Sequence, residues 1–528
     1  MIPVLDIFAG PGGLSEGFNS LRDSNGHAVF ESKAAIEMEA SAVKTLVLRG
    51  AFRLLERDGL VPDSYYGYLR GEITKEALLA SRLFGEAHAD VAEETHQIEL
   101  GPDNHELTDG IIAKAIGGSD NWALIGGPPC QAYSIVGRSR RKHDLLFEDD
   151  KKHFLYREYL HTIRRFKPSV FVMENVKGLL SSTHDGASMF DRILEDLRTA
   201  DDGVEYDVYS LVHSSAPGDL SPKDFIIRAE LYGVPQRRHR VILLGVRRDL
   251  GRVPSILKPW SMLNTVATAI GDMPPIRSVI SRGGDSVENW LKVRQGAQRN
   301  VDDIVAAKTD SRYLAPDQGN KFIKSGQPMG PLSEESGRLG KWLSDARLGG
   351  VADHASRRHM TSDLERYHFA ASFALKEDRS PRLKDLPISL LPDHKSATAE
   401  VAAFVDRFNV QVWNRPSSTI VSHMAKDGHY FIHPDPNQMR SLTVREAARL
   451  QTFPDNYAFE GNQTQKYVQV GNAVPPLLAR QIGEIVRDLM SPLPTDSNED
   501  DARRELHVEV AQAEIALDRM AFASSAPA

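Results

Sequence analysis

Short apolar runs alternating with helical segments fill the first 250 residues of this 528-residue chain. Val4–Phe8, Ala34–Ile36, Trp122–Ile125, Val170–Met173, Tyr206–Val212 and Val241–Val246 are of strand length and rich in β-branched and aromatic side chains. Ser15–Leu21 opens a helix after the first of them. Phe154, Leu155, Tyr159, Leu160, Ile163 and Phe166 recur at helical spacing, which predicts a helix with one face on a sheet. Strands apolar on both sides need cover on both faces. The pattern therefore predicts an α/β fold around a mostly parallel twisted sheet. Sheets of this kind bind ligands at the carboxyl ends of their strands, so the residues just past each run are the ones that matter.

From about Arg247 the alternation breaks, and residues 250–410 are rich in Gly, Pro, Ser and basic residues. A separate, less regular domain is expected there. Order returns at Val410–Trp413. Thr443–Gln451 reads as a helix capped by Ser441 or Thr443 and stopped by Pro454, and Leu477–Leu489 as a second helix. Residues 491–503 form a polar, acidic linker before a terminal helix over Glu505–Met520. The expected division is a catalytic and cofactor-binding domain at 1–250, a smaller irregular domain at 251–440, a return to the first domain at 441–490, and a linker and tail at 491–528. The insertion at 38–121 is long for one crossover. It holds a helical patch near Lys75–Phe84 without recognisable chemistry.

The chain has one cysteine, Cys130, in Gly126-Gly127-Pro128-Pro129-Cys130-Gln131. It can form no internal disulfide, so its thiol is either packed or reactive. Two glycines and two prolines after an apolar run fix a rigid turn that delivers the thiol to a strand end. A nucleophile fits that place. The formal net charge of −8 argues mildly against a general polyanion binder, yet the basic residues cluster at Gly137–Lys142, Gln236–Arg240 and Arg357–His359. No apolar stretch reaches the roughly 18 residues of a membrane span, and Met1–Asp6 lacks the layout of a signal peptide. A cytoplasmic, nucleoid-associated protein is expected.

Four further constellations stand out, three of them near predicted strand ends. Asp6-Ile7-Phe8-Ala9-Gly10-Pro11-Gly12-Gly13 turns a strand into a helix through glycines that let a ligand approach the backbone. It has no lysine for phosphates. Glu37, ending the second strand, is placed to grip ribose hydroxyls, so a nucleoside fits better than a dinucleotide. Met173-Glu174-Asn175-Val176 puts a carboxylate where a general acid can act. In Gln236-Arg237-Arg238-His239-Arg240, alternate residues face one side, so Arg238 and Arg240 are expected to point together into the cleft. Gln469-Val470-Gly471-Asn472-Ala473-Val474-Pro475-Pro476 reads as a turn before the last helix.

In this order the motifs resemble those of the DNA (cytosine-5) methyltransferase family of bacterial restriction–modification systems. The likeness rests on Phe8–Gly13, Pro129–Gln131, Glu174–Val176, Gln236–Arg240, Arg440–Gln451 with Phe453-Pro454, and Gly471–Val474. It spans about residues 1–250 and 410–490. The resemblance implies a Rossmann-like fold dependent on S-adenosylmethionine, with residues 251–440 in the place of the family's target recognition domain. It implies Cys130, Glu174, Arg238 and Arg240 as catalytic residues. Cys130 adds to carbon 6 of cytosine, Glu174 donates to N3, Arg240 holds the carbonyl, and carbon 5 then takes the methyl group. Asp6, Phe8, Gly10, Gly12, Gly13, Glu37, Pro129, Asn472 and Ala473 would form the cofactor cradle, with Asp109 near the adenine by its spacing before Cys130.

The target base would be flipped out of duplex DNA. The loop Gln131–Asp150, with Gln131, Ser134, Arg138 and Arg140, would close over phosphates, and Arg357, Arg358 and Arg366 would meet the DNA. A monomer is expected, with a cognate restriction endonuclease acting separately, no metal and no membrane partner. An RNA (tRNA) cytosine-5 methyltransferase of the same fold, and a catalytically inactive DNA-binding regulator, are the alternatives on sequence alone.

Overall fold

The computed structural model describes residues 1–129, 155–181, 183–184, 187–198, 203–299, 301, 322–324, 337–392 and 408–491. Cys130, Gln131, Ser134, Arg138, Arg140, the rest of the 131–150 loop and the 492–528 tail with its predicted helix lie outside the described residues.

The first part of the chain runs β1 (Ile2–Ile7), α1 (Gly13–Asn19), β2 (Phe30–Glu37), α2 (Ala40–Arg57), α3 (Asp63–Arg70), α4 (Lys75–Ala80), α5 (Arg82–Glu94), β3 (Thr95–Gln97), α6 (His105–Ile116), β4 (Ala123–Gly126), α7 (Tyr156–Phe166), β5 (Val170–Val176), α8 (Met189–Arg198), β6 (Tyr206–Tyr209), β7 (Ile226–Arg228) and β8 (His239–Arg247). One sheet has the order β3-β2-β1-β4-β5-β8-β6, with β7 also on β8. The first five strands pair in parallel. β8 is antiparallel to β5, β6 and β7, so its amino end lies at the same sheet edge as the carboxyl ends of the others. The chain reverses order at β1 and β4, and ligands bind at such a switch point in open α/β sheets.

The central strands split their side chains between two cores. Val4, Ile125, Val172, Ile242 and Leu244 pack under α1 and the last helix, while Leu5, Leu124, Phe171, Met173 and Leu243 pack under the layer containing α7 and α8. The insertion is a helical layer with its own core of Leu48, Phe52, Tyr65, Leu78 and Phe84, plus the edge strand β3.

Past the sheet come α9 (Val266–Ile270), β9 (Val279–Ile280), α10 (Val287–Arg299), β10 (Phe322–Lys324), α11 (Gly337–Leu343), β11 (Gly350–Ala352), β12 (Arg358–His359) and α12 (Thr361–Glu377). Their strands form two small ribbons, β9 with β12 and β10 with β11, apart from the main sheet. The chain then forms α13 (Val444–Leu450), α14 (Gln463–Asn472) and α15 (Pro476–Met490). Thr443 caps α13 in a capping box with Glu446, as its sequence predicts. α15 lies against α1 at Gly17, where an added Cβ would stand 2.5 Å from that of Ala479. The predicted turn at Gly471-Asn472 is instead the last turn of α14, because Asn462 caps a helix that runs through them. Among the described residues no helix is long and apolar enough to cross a membrane.

Candidate active site

β1 turns its alternate side chains toward α1, and Asp6 is among them. Its Oδ2 accepts from the Ser15 hydroxyl at 2.5 Å, while its Oδ1 is buried and without a hydrogen-bond partner among the described residues. Burial pushes this carboxyl up to about pKa 7, more than the Ser15 hydrogen bond lowers it. The next residues form a tight cradle, with left-handed backbone at Phe8 (φ 56°), Gly10 (φ 56°) and Gly12 (φ 89°). Glycine takes this conformation freely, but phenylalanine is strained in it, as residues at functional sites often are. The Gly10 N–H donates to Glu37 Oε2 at 2.8 Å, and the Glu39 N–H donates to Glu37 Oε1 at 2.9 Å. Glu37 ends β2 beside this loop, as predicted. A Cβ on Gly13 would stand 2.2 Å from the Val474 carbonyl oxygen, so the Ala473-Val474 backbone forms the floor of the loop. Asn472 is exposed next to it.

The second half of the site lies across β4, β5 and β8. Register pairs Ile242 with Glu174 and Arg240 with Val176, so Arg240 and Glu174 are diagonal neighbours on one face. The Arg240 Nε meets Glu174 Oε1 at 2.9 Å, with both side chains largely buried. Burial lowers the Arg240 pKa, against the attraction of Glu174. The turn after β4 presses on the same carboxylate. A Cβ on Gly127 would lie 3.2 Å from Glu174 Oε2, and Asn175 Nδ2 donates to the Pro128 carbonyl at 3.4 Å. Pro129 is the last described residue on this turn, half-buried where the chain passes on to Cys130.

Arg238 does not join Arg240 in the cleft. It precedes β8, and its buried Nη1 donates to the carbonyls of Ile420 (3.0 Å) and Gly471 (3.3 Å), clamping the later chain to the sheet. Burial and the neighbouring Arg240 hold its pKa well below the usual guanidinium range. Strand alternation does not extend into this irregular stretch. Asp109 is likewise misplaced: it lies on α6, and its Oδ1 pairs with His161 Nε2 of α7 at 2.8 Å. The residue ending β3 next to Glu37 is Gln97, exposed and in register with it, followed by Ile98, whose N–H donates to the Glu37 carbonyl. Three residues without apolar alternation left β3 invisible in the sequence.

Of the three arginines within 251–440 expected to meet DNA, two are engaged internally. Arg357 donates to the carbonyls of Met424 (2.7 Å) and Ala425 (2.6 Å) and stacks on Tyr467. Arg366 donates to the Leu390 carbonyl at 2.8 Å and pairs with Asp363. Both pin loops within the protein. Arg358 is exposed. Arg237, named in the motif but given no role, has an exposed side chain, while its backbone N–H donates to the Ser417 carbonyl and its carbonyl accepts from the Thr419 hydroxyl. It directly precedes the buried Arg238, and its own side chain lies on the solvent side of the motif. Among the described residues no group of acidic, His or Cys side chains could hold a metal ion.

A strained glycine loop, a facing acid and a carboxylate–arginine pair, all on one edge of an open α/β sheet, define an enzyme with a ligand cradle at its switch point. The profile of the C-5 cytosine-specific DNA methylase family matches residues 104–487. The chain is 33% identical to the type II methyltransferase M.Bpa9945I of Bacillus paralicheniformis over 516 residues, covering 92% of this chain and 99% of that protein. It is 29% identical to the type II methyltransferase M.AgeI of Thalassovita gelatinovora (70% of this chain, 83% of the relative), and 29% identical to M.XorII of Xanthomonas oryzae (70% and 68%). The chain belongs to the C-5 cytosine-specific DNA methylase family and is a DNA cytosine-5 methyltransferase of the restriction–modification type.

Proposed function

We propose that this enzyme methylates carbon 5 of a cytosine flipped out of duplex DNA, through a covalent adduct between Cys130 and carbon 6. The observation that carries the reading is the Glu174–Arg240 pair at 2.9 Å, with the turn leading to Cys130 packed on the same carboxylate. Cytosine is a weak electrophile until N3 is protonated or hydrogen-bonded. Glu174 serves N3, Arg240 orients that carboxylate and faces the base carbonyl, and the Cys130 thiolate adds to carbon 6. Once carbon 5 has been methylated, its proton passes to solvent, N3 returns its proton to Glu174, and the Cys130 thiolate leaves as the 5,6 double bond re-forms.

S-adenosylmethionine is the methyl donor in this reading, supplying an electrophilic methyl group when bound. The residues present fit it: the Glu37 carboxylate stands at the loop, the buried Asp6 Oδ1 keeps a free acceptor, and the glycines leave the backbone bare. Phe8, Gly10, Gly12, Gly13, Glu37, Pro129, Asn472 and Ala473 would line it, with Asp6 supporting the loop and Gln97 and Ile98 at the place intended for Asp109. Residues 251–440 serve as the target recognition domain. Arg358 in that domain and Arg237, just before β8, are contacts for DNA, and the 131–150 loop with Gln131, Ser134, Arg138 and Arg140 closes over the strand. The enzyme works as a cytoplasmic monomer that protects host DNA, with its endonuclease acting separately.

The test is transfer of label from radiolabelled S-adenosylmethionine to duplex DNA or tRNA. Label in 5-methylcytosine of DNA is expected, and label confined to RNA would overturn the substrate. DNA carrying 5-fluorocytosine should trap the wild type covalently, since fluorine cannot leave as a proton, and should fail to trap Cys130→Ser. A serine variant with full activity would sink the nucleophile.

A further inference from the structure

We infer that Arg49, on α2 of the insertion, positions the glycine loop through Glu16 and the 453–459 turn, and thereby sets the affinity for S-adenosylmethionine. The inference rests on assigning that loop to the cofactor. Glu16 lies in the first turn of α1, directly behind Gly12 and Gly13, and is fully buried. The Arg49 fork holds it at both oxygens, Nε to Oε2 at 2.9 Å and Nη2 to Oε1 at 2.6 Å, and Arg53 adds a second cation. Two guanidiniums outweigh burial and hold the Glu16 carboxyl down at about pKa 2, so the network stays charged.

The remaining Arg49 nitrogen turns the other way. Its Nη1 donates to Asn456 Oδ1 at 2.9 Å and to the Asn456 carbonyl at 3.3 Å. The guanidinium is sandwiched between two rings, 4.1 Å from the centroid of Phe52 and 4.7 Å from that of Tyr457. That stacking fixes Tyr457, whose hydroxyl donates to the Pro11 carbonyl in the middle of the loop. The same hydroxyl would stand 3.3 Å from a Cβ on Gly12. Arg49 therefore grips the loop at its helical end through Glu16 and at its apex through Tyr457. Phe8 at positive φ is strained, and such a conformation persists only when its surroundings over-determine it. This network supplies that constraint. It also reaches outward, since Asn456 Nδ2 donates to Asp345 Oδ2 at 2.7 Å, and the Tyr66 hydroxyl of α3 donates to the same carboxylate. The insertion thus has a role that its sequence did not disclose: it backs the cofactor loop.

Tyr457→Phe removes only the hydroxyl and keeps the ring on Arg49. In the full chain it should raise the calorimetric Kd and the KM for S-adenosylmethionine about fivefold, the effect of one lost hydrogen bond of about 1 kcal/mol. The kcat at saturating cofactor and the KM for DNA should stay unchanged, with the melting midpoint within about 2 °C of wild type. Arg49→Lys, which keeps the charge but loses the fork, should move the same parameter further. Unchanged cofactor affinity in Tyr457→Phe would overturn the inference. So would a uniform loss of every parameter with a lower melting midpoint, which marks a purely structural role. If Arg49→Lys fails to fold, Tyr457→Phe alone decides. The wild type is titrated first: absence of S-adenosylmethionine binding there rejects the assignment of the loop itself, and is distinct from a normal wild type with an unaffected variant.

Discussion

Asp6 keeps its proton to a higher pH than an ordinary aspartate because folding strips it of water and gives it one hydroxyl in return. Its folded pKa, about 7, lies above the unfolded value of 3.8. Its contribution to stability is therefore fully present below about pH 4 and is lost as pH rises through 7. Asp6→Asn should gain thermal stability relative to wild type at pH 8 compared with pH 5, as ligand-free melting at the two pH values would record. A constant difference would reject the shift. Glu174→Gln keeps the shape of the side chain and removes the acid, so kcat should fall at least about a hundredfold while DNA binding in a gel-shift assay persists. Arg357→Ala and Arg366→Ala remove internal pins, not base readers. Both should lower the melting temperature and leave unchanged the ratio of cognate to near-cognate methylation. A changed ratio would restore them as readers.

At the scale of elements, the caps and the close approaches are where small changes should tell. Thr443 accepts the Glu446 N–H at 3.2 Å, Glu446 returns the bond to the Thr443 N–H at 2.7 Å, and His354 Nδ1 lies 3.0 Å from the same hydroxyl. Thr443→Ala should cost about 1–2 kcal/mol by urea unfolding. Gly17→Ala would push a Cβ into the backbone of α15 at Arg480, 2.4 Å from its nitrogen, and should cost about 1–3 kcal/mol by the same measurement. The long strands and α1, α7, α13 and α15 were legible in the sequence because each follows one clear apolar period or cap. β3 was not, because three edge residues carry no alternation. Gly471-Asn472 reads as a turn from its composition, but the cap at Asn462 carries the helix on through it.

For the whole molecule, the boundary expected at 440/441 falls inside one hydrophobic cluster that joins Val266, Ala269, Leu339 and Val351 to Leu442, Ala447, Phe453 and Tyr467. Under that cluster lie charges that look like surface in the sequence. Arg440 forks onto Glu446 with both contacts at 2.6 Å, Arg445 donates to the carbonyls of Ala352, Pro454 and Tyr457, and Arg449 pairs with Asp455 and Asp272. Hydropathy places such a helix outside. Only the supply of partners from distant segments lets its arginines be buried.

The sequence by itself determined the α/β sheet, the glycine loop, and Glu37 and Glu174 as strand-end acids, because these depend on local period and local turn chemistry. Only the tertiary structure decided which arginine meets Glu174, that Asp109 pairs with a histidine on α7, and that the insertion braces the loop from behind. Those outcomes are set by register and by contacts that reach far beyond a local window, from 33 positions for Glu16–Arg49 and 52 for Asp109–His161 to 446 for Pro11–Tyr457, and a local pattern carries no record of either.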